Sequence, residues 1–126
     1  MARAVLIIWL MLPAWTAFAQ MPTQAQLNNA VRFGAIAAIG PICGLRDGAW
    51  AVDLRRAEMH AMAVQPADRQ RADRAGAALS YAEDEALEDF AEAPSQTCAT
   101  LARNPDLARA DQMVAALRAG ADQPIW

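Results

Sequence analysis

The chain has 126 residues, more than half of them apolar, and sets eleven arginines against fourteen acids for a net charge of −3, with no lysine. That balance excludes a basic patch able to neutralise phosphates, so nucleic acid is not an expected partner. Alanine makes up about a quarter of the residues, and the excess of Ala and Arg reads as the codon bias of a GC-rich bacterial genome rather than as a functional signal.

The first nineteen residues have the three parts of a secretory signal peptide. Met1-Ala2-Arg3 is a positive start, Ala4 to Leu12 is an unbroken apolar run, and Ala17-Phe18-Ala19 puts Ala at −3 and −1 before Gln20. The apolar run stops at Pro13, well short of the roughly 20 residues a membrane span needs. No cysteine follows the cleavage position, which argues against a lipid anchor. The expectation is removal of residues 1–19, leaving a single helical domain over 20–126 that is periplasmic or secreted and has no membrane span. Loss of Arg3 takes the formal charge from −3 to −4.

Cys43 and Cys98 are the only cysteines. In an oxidising compartment such a pair is normally bridged. No Cys-x-x-Cys or Cys/His cluster points to redox or metal chemistry instead, so a structural disulfide is expected.

In chain order, Thr23 and Gln26 have the spacing of a capping box and open a first helix. From Phe33 this helix is apolar all round, and Gly40-Pro41 is expected to end it. Cys43 to Arg46 reads as a connector, with Asp47 as N-cap of a second helix whose stripe is Trp50, Leu54, Ala57, Ala61 and Val64. Gln65-Pro66 closes it. One long third helix spans Ala67 to Ala93 despite Gly76, because Ala72, Ala75, Leu79, Ala82, Ala86, Phe90 and Ala93 hold one phase throughout. Ser95 is expected to cap a short helix carrying Cys98 and Leu101. Asn104-Pro105 opens the last helix, with Leu107, Ala110, Val114 and Leu117 inward and Gly120 as the stop. The tail is Ala121 to Trp126. No strand period is present, so the fold class is all-α: a small irregular bundle of four to five helices with one disulfide.

No catalytic constellation is legible. His60 is the only histidine, there is no Gly-rich phosphate loop, and no cofactor motif occurs, so an enzyme is not expected. Met59, His60 and Met62 have soft-metal chemistry that suits Cu(I). Arg55 and Arg56 lie one turn earlier and oppose a bound cation, and a partner-facing helix side is the simpler reading. The acids Glu83, Asp84, Glu85, Glu88, Asp89 and Glu92 crowd the C-terminal half of the third helix, where the macrodipole prefers cations. Either another element neutralises them, or they stay solvated or meet a cationic partner. The expected function is binding, in a chaperone-like, inhibitor or accessory role, through an apolar surface at Phe33, Ile36, Ile39 and Ile42. The partner would be another protein or a second copy of this one. The alternative is copper handling through Met59, His60 and Met62.

Overall fold

The computed structural model describes residues 23–62 and 69–120 of the chain. The predicted leader (1–19), Val64, the Gln65-Pro66 stop and the C-terminal tail lie outside the described residues. Among the described residues there are five helices and no strand: α1 Gln24–Ile42, α2 Gly48–Met62, α3 Arg69–Glu92, α4 Pro94–Arg103 and α5 Pro105–Arg118. The all-α reading is thus what the chain adopts. No described helix is long and apolar enough to cross a membrane.

Thr23 caps α1 as expected. Its hydroxyl accepts from the Gln26 N–H at 3.1 Å, while the Gln26 side chain takes the Thr23 N–H at 2.8 Å. The other end departs from the sequence reading, because α1 runs through Pro41 to Ile42. Part of the clash that proline imposes on the preceding residue involves that residue's Cβ, and Gly40 has none. The helix then ends two residues later in a Schellman motif. Leu45 N–H bonds Gly40 C=O at 3.0 Å and Gly44 N–H bonds Pro41 C=O at 3.1 Å, with Gly44 at φ +68°. That left-handed position is what glycine supplies at a helix C′.

α1 is the central helix. Most of its contact is with α3 and the next largest share with α2. Gly34 allows the close approach, since a Cβ built there would lie 3.1 Å from Ala82 Cβ. Phe33, Ile36, Ala37 and Ile39 join Trp50, Leu54, Leu101, Leu107 and Met113 in one core cluster. Full burial of an aliphatic or aromatic side chain is worth about 1.5–3 kcal/mol each, so this cluster is the main source of stability. A second, smaller cluster forms where Ala30 meets Ala75 and Leu79, with Met59 packed against it.

Asp47 caps α2 through a 2.7 Å bond from the Trp50 N–H, and Trp50, Leu54, Ala57 and Ala61 are all buried. In α3 the stripe Ala75, Leu79, Ala82 and Ala86 is buried, while the Ala72 side chain lies outside the described residues. Ser95 does not cap α4. Pro94 already occupies the first helical turn, Ala93 is the N-cap without a side-chain bond, and Ser95 is exposed inside the helix. Proline at N1 needs no donor partner, so the start is set by Pro94. Asn104 caps α5 by accepting from the Asp106 N–H at 2.9 Å. Leu107, Ala110 and Val114 point inward with Leu117 partly buried, and Met113 joins them.

Cys43 and Cys98 are joined by a disulfide, with 5.4 Å between their Cα atoms. It fastens the middle of α4 to the C-cap of α1.

Candidate binding groove

The expected apolar surface is not where the all-round hydrophobicity of α1 suggested. Phe33, Ile36 and Ile39 are 0%, 3% and 6% exposed, respectively. They belong to the core that α1 shares with the other helices, so they do not form the broad exposed surface expected of them, and only an edge of Ile36 and Ile39 reaches a groove. The correction has a simple cause. An apolar residue faces solvent or core according to what packs on it, and here Trp50 and Leu54 of α2, Leu101 of α4 and Leu107 and Met113 of α5 pack on these three. Ile42 alone of the four is open, at 50%.

A different apolar stripe on the same helix does reach solvent. Val31, Ala35, Ala38 and Ile42 follow at spacings of four, three and four, which places them on one face. Val31 is 48% exposed, and Ala35 and Ala38 are half-buried. Sequence reasoning missed this stripe because two of its members are alanines. The phase relation between Val31 and Ile42 was the signal that could have found it.

Beside this stripe, α1 and α4 leave an open groove of about 480 Å³. Its floor is Ile36, Ile39 and Leu101, which show the groove only an edge. Val31 and Ala35 form one wall, and Thr97 and Thr100 of α4 form the other. The Thr97 hydroxyl donates to Ala93 C=O at 2.7 Å, so toward a ligand it has its methyl group and an oxygen that can still accept. Gln96 and Thr100 supply polar groups along the rim.

The groove is held at two places. The disulfide ties α4 to the end of α1. Arg32 of α1 reaches Asp106 at the start of α5, donating from Nε at 3.0 Å. Arg32 and Cys43 are separated by about 16 Å along α1 at 1.5 Å per residue. α4 is thereby pinned at its middle and just beyond its end, and the space beside α1 cannot close by simple tilting. The hydrogen bonds from Arg32, together with its charge, hold the Asp106 carboxyl below the usual carboxylate range.

Arg32 and Asp106 of the groove lining are paired with each other, which leaves Asp89 as its acid without an ion-pair partner among the described residues, and Asp84, Glu85, Glu88 and Glu92 are exposed on α3. Of the acidic run only Glu83 has an ion-pair partner among the described residues, namely Arg55 of α2. Glu85 accepts from the Tyr81 hydroxyl. No cation of another described element neutralises Asp84, Glu88, Asp89 or Glu92.

Of the soft-metal candidates, two have described side chains. Met59 packs against the second apolar cluster, His60 is exposed, and the Met62 side chain lies outside the described residues. Among the described residues no group of three or more His, Cys, Asp or Glu side chains is placed to hold a metal ion. No protein-family model, curated protein or solved structure matches the chain.

Proposed function

We propose that this is a small exported helical protein that acts by binding, and that its groove between α1 and α4 takes a short cationic, apolar segment of a protein partner. The export half of the reading rests on the leader pattern of residues 1–19 and on the disulfide, which persists in oxidising compartments. The observation that carries the binding half is the preformed groove, stapled by Cys43–Cys98 and Arg32–Asp106, with an apolar floor and an acidic flank. A volume of about 480 Å³ falls in the range of pockets that bind ligands, roughly 300–1,000 Å³. It accommodates one or two aliphatic side chains.

Charge selects among the occupants. The unpaired carboxylates at the C-terminal half of α3 add to the negative end of its macrodipole, and a partner bearing Lys or Arg relieves both. A second copy of this chain brings the same acidic face and a like net charge, so self-association through this face is opposed.

The test is calorimetric titration of the mature chain, residues 20–126, with a short Leu/Lys peptide. Saturable binding is expected, weakened by salt, abolished by Ala35→Trp, which fills the groove, and reduced by Asp89→Arg. Val52→Ala, at an exposed position on α2, should leave binding unchanged. Absence of binding, or binding indifferent to Ala35→Trp, would overturn the reading.

A further inference from the structure

Glu58 is 0% exposed, and neither of its carboxyl oxygens has a hydrogen-bond partner. Charged residue types are almost never fully buried without one. The helix wheel explains how it gets there: Glu58 lies one turn beyond Leu54 and next to Ala57, on the flank of the buried stripe that faces α1 and α3. The cost of an ionised carboxylate in such a place is avoided if the group keeps its proton.

Two charged groups act on Glu58 from the packed elements. From α3, the Glu83 carboxylate opposes ionisation, and from α2 itself, Arg55 favours it. These two are bound to each other, Arg55 donating through Nε at 2.7 Å, so Arg55, the one cation of the pair, is already engaged. The single charged residue of α1, Arg32, is held by Asp106.

We propose that Glu58 is a pH-responsive latch between α2 and α3, packed in place as the neutral acid and driven out of its seat when it ionises. Burial, with Glu83 adding to it and Arg55 opposing, pushes the Glu58 carboxyl up to about 9. In the unfolded chain the group titrates near 4.5. The folded form therefore binds the extra proton between these values. The stabilisation is full below about pH 4.5, falls steadily as pH rises, and is gone above about 9. Acidification thus tightens the α2–α3 contact. The device acts opposite in sign to Asp106 and Asp111, whose carboxyls are held low by Arg32 and Arg46 and lose their stabilisation in acid.

The experiment compares wild type with Glu58→Gln, neutral and nearly isosteric, in urea unfolding from pH 4.5 to 9. The folding constant of wild type should fall relative to the variant by roughly two to three orders of magnitude between pH 4.5 and 7. The shared ion pairs cancel in that comparison. A difference that does not change with pH would overturn the latch. In parallel, the carboxyl carbon resonance of Glu58 is followed by NMR in the wild-type chain, which keeps the question decidable if the variant does not fold. A midpoint well above neutrality is expected, and a midpoint between 4 and 5 would overturn the proposal. Neither readout involves the groove, so this result and the binding result stand or fall separately.

Discussion

Asp111 is the point where three elements are tied, and its replacement separates two kinds of polar interaction. Its Oδ1 accepts the Trp50 indole N–H at 2.9 Å and the Arg46 Nε–H at 2.8 Å, while Oδ2 takes the Arg46 terminal N–H at 2.6 Å. Arg46 also lies over the Trp50 ring, 5.7 Å from its centroid. The two contacts differ in environment. Trp50 is only 6% exposed, whereas the side chains of Arg46 and Asp111 are 30% and 40% exposed. Such an ion pair is screened by water and contributes about 0–1 kcal/mol. A buried N–H left without a partner costs about 1–3 kcal/mol. The indole bond therefore outweighs the salt bridge. Asp111→Ala should cost about 2–3 kcal/mol in urea unfolding at pH 7. Asp111→Asn keeps an acceptor for the indole and should cost under about 1 kcal/mol. Equal losses from the two variants would refute the ranking and give the weight to the ion pair. There is also a pH signature. The Arg46 hydrogen bonds, Arg46's charge and the indole bond hold the Asp111 carboxyl below its ordinary value of 3.8. Its contribution is thus present above that value and is lost as pH falls through the lower, folded one. The wild-type advantage over Asp111→Asn should fade only in strong acid.

Replacing both Cys43 and Cys98 by Ser should destabilise the domain by about 4 kcal/mol, the chain-entropy value for a loop of this size; a loss under about 1 kcal/mol in urea unfolding would refute it. Two of the helical glycines, Gly34 and Gly76, should respond in opposite directions in thermal melting. Gly34→Val places its branched side chain against Ala82 Cβ and the Leu79 carbonyl, 3.1 and 3.4 Å from the first added carbon, and should cost about 1–3 kcal/mol through overpacking. Gly76→Ala meets nothing within 4 Å and should gain about 0.5–1 kcal/mol from helix propensity. Absence of a loss in Gly34→Val would show that the α1–α3 approach is looser than described, and a loss in Gly76→Ala would refute the propensity argument.

What was legible in the sequence is what local chemistry decides. The Thr23–Gln26 box, Asp47 before Trp50, and Asn104-Pro105 each satisfy backbone donors within a few residues, so their outcome does not depend on the rest of the fold. The Trp50–Ala61 stripe is legible because one face of α2 is charged, with Arg55 and Arg56 on it. Pro41 does not stop α1 because Gly40, the residue before it, is the one least subject to the pre-proline restriction. For α1 the periodic signal itself fails. When every face is apolar, only the neighbours determine which one is left open, and the neighbours are a tertiary fact. Glu58 is the sharper case, since its residue type argues for solvent while the fold buries it on the flank of the α2 stripe.

The groove and Glu58 share a physical origin in the way small residues pack α1 against α3. Gly34 meets Ala82 at a distance that larger side chains would forbid, and the alanines at 75, 82 and 86 continue that close seam. Phe33, Ile36 and Ile39 are covered mainly by Trp50 and Leu54 of α2, Leu101 of α4 and Leu107 and Met113 of α5, and the Val31–Ile42 face is left beside the α1–α3 seam without such cover. α4 is too short to cover that face, having ten residues against nineteen in α1, and the disulfide fixes its middle at the α1 C-cap instead of letting it slide along the helix. An open channel beside α1 follows from that geometry. On α2, Glu58 is buried beside Ala57 and within one turn of Ala61, both small and buried. Lengthening the seam with Gly34→Val therefore perturbs both features together. A variant that loosens the α1–α3 approach should widen the groove and let water reach Glu58, lowering its midpoint in the carboxyl NMR titration. If Gly34→Val destabilises the domain yet leaves the Glu58 midpoint where it is in wild type, the two sites are independent and the shared-seam argument fails.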